Sequence, residues 1–473
     1  MRHEDKLYYS DQIKKLKSGE RSSCSCCGFF QLFIQEEVLS DDIFFELADA
    51  LTSRQCSSKP YIQIETGSIN VKGFSALANA LKSGKSPSGL VLNLSENNLT
   101  DETLKEFAEA LASGKCPIGL RLYLGDNNFS DEGAKVLADA LSLGMYPPDL
   151  HLGLERNKLG GKAIQLLAEA LSSGNCRSRI SLGLRLNRMG SDGARVLALA
   201  LTSGKCPPDL ILDIGCNEIG DKGAQAFAEA LASGQCPSGL ELIISGNEIS
   251  EKGAQALAGA LASGKCTAGL KLDLSYCKIW WKGAEALAKA LKSNKCPSGL
   301  SLGLCGCEIN DSGALSLAGA LASGHCPMQL NLGLAENDIS ISGIEGLAKA
   351  LESGNCPPGL HLDFKDYDRH DLGPKASALI QALQSGKCPY GTRISMRFYD
   401  LVETECRKND NRINTEKGLA LVAIMGRFKG ERRVKKTRNA HANLAKSPFN
   451  SLSIGLIEMI ASFIPGAVRA DSV

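Results

Sequence analysis

The chain has 473 residues, a net charge of +1, 43% hydrophobic residues and a mean hydropathy of −0.08. These values are typical of a folded protein with a large core, and they exclude a disordered chain; no apolar run is long enough to cross a bilayer. Because the N-terminal segment lacks the apolar stretch of a secretory signal, the 18 cysteines are expected to be reduced thiols in a cytosolic protein.

The N-terminal segment, residues 1–25, is predicted to cap the array that follows, with Ile13 and Leu16 facing its core. Three cysteines follow closely in the stretch SSCSCCGFF, at Cys24, Cys26 and Cys27. Cys26 lies in register with cysteines that recur farther along the chain, which favours the edge of a first repeat. A palmitoylated or metal-binding cluster is the alternative.

From residue 26 to 398 the chain repeats a unit of thirty residues. One apolar column runs from Leu90 through Leu120 to Leu360 at this fixed interval. Alternating apolar residues, as at Leu120 and the two alternate positions after it, predict a strand of five residues with one buried face. Asn127 and an apolar residue follow, so the unit reads LxLxLxxNxL, with cysteine replacing the asparagine at Cys277 and at position 307.

The second half of each unit has the spacing of a helix. In GAKVLADAL, apolar residues recur at helical intervals from Ala134 to Leu141 and form one stripe. An acidic residue such as Asp131 favours the helix start, and a glycine such as Gly114 is expected in the left-handed conformation that ends the helix. The cysteine that follows, as in SGKCP, is predicted to pack as a small buried residue, because thiols spread along a stack do not converge on a metal.

This unit resembles the leucine-rich repeat, and its long helix resembles the subtype of ribonuclease inhibitor, Ran GTPase-activating proteins and NOD-like receptors. The resemblance implies an α/β solenoid, a horseshoe of about 12 repeats with a parallel sheet on the concave face and helices on the convex face. It also implies a non-enzymatic scaffold that binds a protein partner, as a monomer and without a cofactor. The near-identical repeats carrying SGxCP are similar to effectors that intracellular bacterial pathogens deliver into host cells, which implies a host protein as the partner and secretion without a cleaved signal peptide.

Partner-binding residues are expected where the repeats differ from one another, on the inward-facing strand positions and just beyond them. The sharpest departure is KIWWKGA, which holds the only two tryptophans. An exposed pair beside a tyrosine has the composition of an interface hot spot, and packing flat on the neighbouring repeats is the alternative. The predicted binding residues are Tyr123, Asp126, His151, Glu155, Arg156, Arg185, Asp213, Glu241, Lys271, Asp273, Tyr276, Trp280, Trp281, His361, Asp363, Lys365 and Asp366.

No motif predicts catalysis or metal binding. The patterns GxxxxGK[ST], HExxH and GxSxG are absent. The stretch HLDFKDYDRHD, residues 361–371, is interpreted as a polar concave rim rather than a metal site. Arg156 and Arg185 are available to a regulator of a small GTPase, although no motif singles out either residue.

The C-terminal segment, residues 399–473, is predicted to be a basic, helical cap or tail. Between Arg407 and Lys446 it carries 12 basic and three acidic residues. Residues 427–438 are interpreted as the solvated face of a helix, with an anionic membrane or nucleic acid as less favoured partners. The later stretch SLSIGLIEMIASFIP resembles the opening of an F-box, so an alternative function is that of a ubiquitin-ligase adaptor.

Overall fold

The structure, a computed structural model, describes residues 3–20, 30–35, 40–57, 59–65, 71–176, 178–364 and 373–395. Among these residues no helix combines the length and the apolar character that crossing a membrane requires. The predicted cysteine cluster at 24–27 and the C-terminal segment, with its basic residues 427–438 and its F-box-like stretch, lie outside the described residues.

Helices and strands alternate along the whole described chain. The helices are α1 His3–Ser18, α2 Asp41–Leu51, α3 Val71–Lys82, α4 Asp101–Ala112, α5 Asp131–Ser142, α6 Gly161–Leu171, α7 Gly190–Leu201, α8 Gly220–Ser233, α9 Glu251–Leu261, α10 Trp280–Leu291, α11 Asp311–Leu321, α12 Ile341–Glu352 and α13 Gly373–Gln384. The strands are β1 Gln31–Gln35, β2 Tyr61–Glu65, β3 Val91–Asn93, β4 Arg121–Tyr123, β5 Leu150–Gly153, β6 Ile180–Gly183, β7 Ile211–Asp213, β8 Glu241–Ile243, β9 Lys271–Asp273, β10 Ser301–Gly303, β11 Asn331–Gly333, β12 His361–Asp363 and β13 Arg393–Ser395.

The strands form one open parallel sheet in chain order, from β1 to β13. Neighbouring strands pair exactly one repeat apart, as where Leu122 lies opposite Leu152, and only β13 is shifted by two further positions, with Ile394 opposite Leu362. Because strands repeat about every 4.8 Å and helices need about 10 Å, the stack bends with strands on the concave side and helices on the convex side. The predicted leucine-rich-repeat solenoid is confirmed.

Most strands are shorter than the predicted five residues. Only β1 and β2 reach that length, and the others have three or four residues. The flanking leucines of the repeat are nevertheless fully buried, as at Leu90 and Leu94. Leu94 still donates its amide hydrogen to the Tyr123 carbonyl of the next repeat at 2.9 Å, so pairing between repeats continues where the regular strand has ended.

In six of the turns that the structure describes, a buried asparagine connects its own repeat to the preceding one by hydrogen bonds. The Asn217 side chain donates to the carbonyls of Leu184 at 2.9 Å, Ile214 at 3.0 Å and Gly215 at 3.1 Å. Its Oδ1 accepts the amide hydrogen of Asn187 at 2.8 Å. The side chain thus satisfies the buried Asn187 amide and adds a second donor to each of the three carbonyls.

In two repeats cysteine replaces the asparagine and takes over only part of its role. The thiols of Cys277 and Cys307 donate to the preceding repeat, at Ile244 and Leu274, over 3.6 and 3.2 Å. The thiol therefore keeps the bond between repeats while providing fewer donors than a side-chain amide.

The acidic residue at the helix start also reaches the next repeat. Asp221 accepts the amide hydrogens of Ser250 at 2.8 Å and Gly253 at 3.0 Å, and the Ser250 hydroxyl at 2.6 Å. Asp131 and Asp311 make equivalent bonds to the helices that follow them. The carboxylate thus satisfies helix N-terminal amides of its neighbour, which adds a second seam of polar contacts between repeats.

The recurring SGKCP stretch ends each helix and buries its thiol. Gly234 adopts the predicted left-handed conformation with φ of 77°, and Asn294 does so with φ of 57°. The Cys236 thiol donates to the Ala230 carbonyl at 3.4 Å, beside the Ser233 hydroxyl that donates to the same carbonyl at 2.6 Å. Burial raises the pKa of the Cys236 thiol to about 12. The cysteine column therefore closes the helix ends while it fills the core.

The N-terminal helix packs on the first repeat. Tyr9, Ile13 and Leu16 of α1 are buried, and α1 contacts α2. Leu32 and Ile34 of β1 continue the buried columns of the later strands. The domain boundaries at residues 25 and 398 remain predictions.

Candidate functional site

The concave surface is built from the outer residues of each short strand. In β7, β8 and β9 the middle residue is buried and the residues on both sides are partly or fully exposed. Since each strand lies in register with the next, the side chains at one strand position form a row across all repeats. The predicted strand residues therefore lie on one continuous face.

Aromatic rings cluster on the N-terminal half of this face. The rings of Tyr123 and His151, on β4 and β5, lie 4.7 Å apart. Closer to the N-terminus, the rings of Phe33 and Tyr61 lie 5.6 Å apart, and Phe33 is 50% exposed. Exposed aromatic rings on a rigid sheet are well suited to contact a protein partner.

His151 is held in its neutral form. Its Nδ1 lies 2.9 Å from the Ser181 hydroxyl, and burial lowers its pKa to about 4, assisted by the nearby Arg121 charge. Its buried Nε2 has no hydrogen-bond partner among the described residues. The ring therefore stays uncharged at neutral pH and contributes an aromatic surface beside Tyr123.

Carboxylates and one guanidinium occupy the centre of the concave face. The Glu155 side chain lies over Gly153 and Gly183, where any larger residue would overlap its carboxylate. Burial raises the pKa of Glu155, and likewise that of Asp213. Both carboxylates are thus partly desolvated, and a cationic group of a partner would stabilise their charged forms.

Arg185 and Lys271 already make contacts within the protein. The Arg185 guanidinium donates to the Cys216 sulfur at 3.1 Å. Lys271 pairs with Glu241 at 2.8 Å, an exposed ion pair between β8 and β9. Asp273 accepts the amide hydrogen of Ser275 at 2.9 Å, which fixes its carboxylate beside the strand end.

A second group of predicted residues lies just past the strands, along one edge of the sheet. Arg156 lies 3.7 Å from Asp126 in an exposed pair. Farther along this edge Tyr276, Trp280 and Trp281 are 56%, 39% and 42% exposed. Neither tryptophan is buried flat against the core.

Two aromatic residues of the edge form hydrogen bonds with later repeats. The Trp280 indole N–H donates to Glu308 at 2.8 Å, and the Tyr276 hydroxyl donates to Glu336 at 3.0 Å. The Lys282 ammonium lies 5.8 Å from the centre of a Trp281 ring. These contacts orient the rings while leaving them accessible.

The last predicted residues are only partly described. The His361 Nε2 lies 2.7 Å from the Ser395 hydroxyl on β13, and Asp363 ends β12. Lys365 and Asp366, like the rest of the polar rim that ends at residue 371, lie outside the described residues. Among the described residues no group of three His, Cys, Asp or Glu side chains could hold a metal ion.

Several residues of the surface were not predicted from the sequence. Phe33 and Tyr61 occupy inward-facing strand positions of the first two repeats, and counting one repeat backwards from β3 would have found Tyr61. Glu308 and Glu336 were identifiable only through their bonds to aromatic residues of earlier repeats. The hydrogen bond from Arg185 to Cys216 has no sequence signal.

The stacked strands and the Asn and Cys columns define the class: a leucine-rich-repeat solenoid. Leucine-rich repeats as a family match at residues 120–138, 210–228 and 240–258. Each match begins at the leucine before a strand, β4, β7 or β8, and extends into the helix that follows. No curated protein matches the chain.

Proposed function

We propose that the protein is a non-enzymatic scaffold whose concave face and adjoining edge bind a protein partner. Leucine-rich repeats generally mediate protein–protein interactions. The observation that carries the proposal is the contrast within each repeat: the columns that hold the stack are almost invariant, while the inward-facing residues change from repeat to repeat. Varied side chains presented on an accessible face of a constant scaffold are the pattern expected of a recognition surface.

The concave charges favour a partner with an exposed basic residue. Four carboxylates, those of Glu155, Asp213, Glu241 and Asp273, share the central strands with Arg185 and Lys271. Burial raises the pKa of the first two carboxyl groups, so a partner cation placed between them would gain from neutralising a partly desolvated site. The aromatic pair at Tyr123 and His151 would supply the adjoining apolar contact.

The finer identity of the scaffold is proposed from the resemblance alone. The long helix of each repeat supports the ribonuclease-inhibitor-like subtype, and the SGxCP repeats support an effector that acts on a host protein in a reducing cytosol. In this proposal residues 26–398 form the recognition array, with residues 1–25 and 399–473 capping its ends. Adaptor and GTPase-regulator functions are not favoured by any contact of the described residues.

Removing the exposed ion pair on the concave face tests this function. We expect Glu241→Ala with Lys271→Ala to weaken the affinity for a captured and purified partner by about tenfold or more, because interface charges are lost at the centre of the face. Folding should be nearly unchanged, since exposed pairs contribute only about 0–1 kcal/mol. Titration of the partner by calorimetry measures the affinity.

A matched pair on the convex face provides the control. Lys289 and Glu285, on α10, form an ion pair of similar length at 2.9 Å. Replacing both with alanine should leave the affinity unchanged. Equal losses in the two double variants, or a loss only in the convex one, would argue against recognition by the concave face.

A further inference from the structure

The edge beyond β9 to β11 combines exposed rings with carboxylates. We name Tyr276, Trp280, Glu308 and Glu336 the aromatic–acidic edge. Each ring donates a hydrogen bond to a carboxylate of a later repeat, from Trp280 to Glu308 and from Tyr276 to Glu336. Each carboxylate retains further acceptor capacity, and the ring faces carry negative potential, so the edge is suited to bind cationic side chains.

Trp280 occupies a backbone conformation that is unfavourable for its side chain. It has a φ of 48°, at the repeat position where Gly190 and Gly220 have φ of 62° and 58°. A left-handed conformation is less favourable for a bulky residue than for glycine, because the β-carbon crowds the backbone. The side chain remains 39% exposed, so a large part of the ring stays available for contact. A large exposed ring held under strain is better explained by recognition than by stability.

Charge changes sign along this edge of the array. At the repeat position of Glu308, the exposed residues of the earlier repeats are Asn98, Asn128, Lys158 and Arg188, and those of the later repeats are Glu218, Glu248, Lys278, Glu308 and Asp338. The acidic half of the edge is therefore the half nearest the C-terminal end of the solenoid. A basic segment approaching from that end meets complementary charge.

Residues 427–438 of the same chain are such a segment and are within reach. They contain seven basic residues and one acidic residue in the stretch RFKGERRVKKTR. β13 is four strands from β9, about 20 Å at the usual spacing between strands. The connecting stretch 396–426 spans up to about 105 Å when fully extended, which is several times the required distance.

We propose that the aromatic–acidic edge is the docking site of the basic segment 427–438 of its own chain. Arginine and lysine side chains of the segment contact the faces of Tyr276 and Trp280 and pair with Glu308 and Glu336. Tethering gives the segment an effective concentration in the millimolar range, so weak contacts suffice to keep it docked. This inference goes beyond the proposed function: the docked segment covers the edge and leaves the concave strand face open, so a partner that also contacts the edge has to displace the segment.

The two tryptophans of the chain provide a direct readout, because both stand at this edge. In the full-length protein we expect acrylamide to quench tryptophan emission weakly at low salt. Quenching should increase about twofold in about 0.5 M salt, where charge pairing is screened. The same increase is expected at low salt when Arg432, Arg433, Lys435 and Lys436 are changed to glutamate. In the variant Trp280→Gly, which has the glycine that other repeats carry at this position, the remaining emission comes from Trp281. Salt should no longer change the quenching of this variant.

The control reverses the same number of charges elsewhere on the surface. Changing the four exposed lysines Lys105, Lys115, Lys135 and Lys205 to glutamate should leave quenching at its low-salt value. Quenching that is unaffected by both salt and the tail reversal would overturn the proposal. Dependence of the tail effect on protein concentration would also overturn it, because it would assign the docked segment to a second copy.

Discussion

Asn217→Ala is expected to lower the free energy of unfolding by about 3 kcal/mol or more. The substitution leaves the buried amide of Asn187 without a partner, which costs about 1–3 kcal/mol. It also removes three hydrogen bonds to the carbonyls of Leu184, Ile214 and Gly215, which each keep one other donor, at about 1 kcal/mol for each bond lost. Urea unfolding followed by circular dichroism at 222 nm measures the loss.

Two further substitutions test whether the loss of stability comes from removing the buried side-chain amide of Asn217. Asn128 lies exposed in an equivalent turn, so Asn128→Ala should change stability by less than about 0.5 kcal/mol. Asn217→Cys should recover part of the loss, because Cys277 and Cys307 keep the bond to the preceding repeat. Equal effects of Asn217→Ala and Asn128→Ala would show that the asparagine column does not hold the stack together.

Alkaline pH is expected to destabilise the whole array through its thiols. Burial raises the pKa of Cys206 and Cys266 from 9.0 to about 11, and that of Cys236 and Cys296 to about 12. Between pH 9 and 11 the unfolded chain therefore binds fewer protons than the folded chain, so stability falls as pH rises. At pH 10 each such thiol removes on the order of 1 kcal/mol, and the losses add along the column. The urea midpoint measured from pH 7 to 10.5 should fall steeply above pH 9.

The chain itself supplies the control for the alkaline effect. Ser86 stands at the cysteine position of an early repeat, and its hydroxyl donates to the Ala80 carbonyl at 3.0 Å, as the thiols do in other repeats. Serine keeps this bond and does not titrate below pH 12. A variant with serine at the six column positions 206, 236, 266, 296, 326 and 356 should therefore lose much less stability between pH 9 and 10.5 than the parent protein does. An unchanged pH dependence would show that other groups cause the alkaline loss.

The solenoid was predictable because the residues that repeat along the sequence each determine local structure. The leucine columns, the left-handed glycine and the helix stripe each depend on a few neighbouring residues, so a repeat of constant length determined both the strands and the helices. The predicted strand length of five residues was wrong for most repeats. Alternation of apolar residues reports which side chains are buried, and Leu90 and Leu94 are buried although they lie outside the regular strand. Side-chain bonds between repeats, such as that of Asp221 to Ser250, depend on how the helices stack.

The recognition surface was predictable only as a set of positions. Register places Tyr123 beside His151 and Glu241 beside Lys271, and these adjacencies follow from the constant repeat length. The bond from Tyr276 to Glu336 spans two repeats and depends on side-chain direction, which no periodicity specifies. The left-handed backbone of Trp280 was also not predictable from the sequence. Gly190 and Gly220 are left-handed at this repeat position, whereas Ser130, at the same position of another repeat, is extended.

The central claim is that buried columns of side chains hold the stack together and that the concave face binds the partner. Hydroxyl-radical footprinting of the protein with and without its purified partner tests this claim directly. We predict that Phe33, Tyr61, Tyr123 and His151 lose reactivity in the complex, because they lie on the concave face. The exposed Leu143, Leu199 and Leu315 of the helical face should react equally in both states. Protection of these leucines with unchanged reactivity of the concave rings would contradict the account.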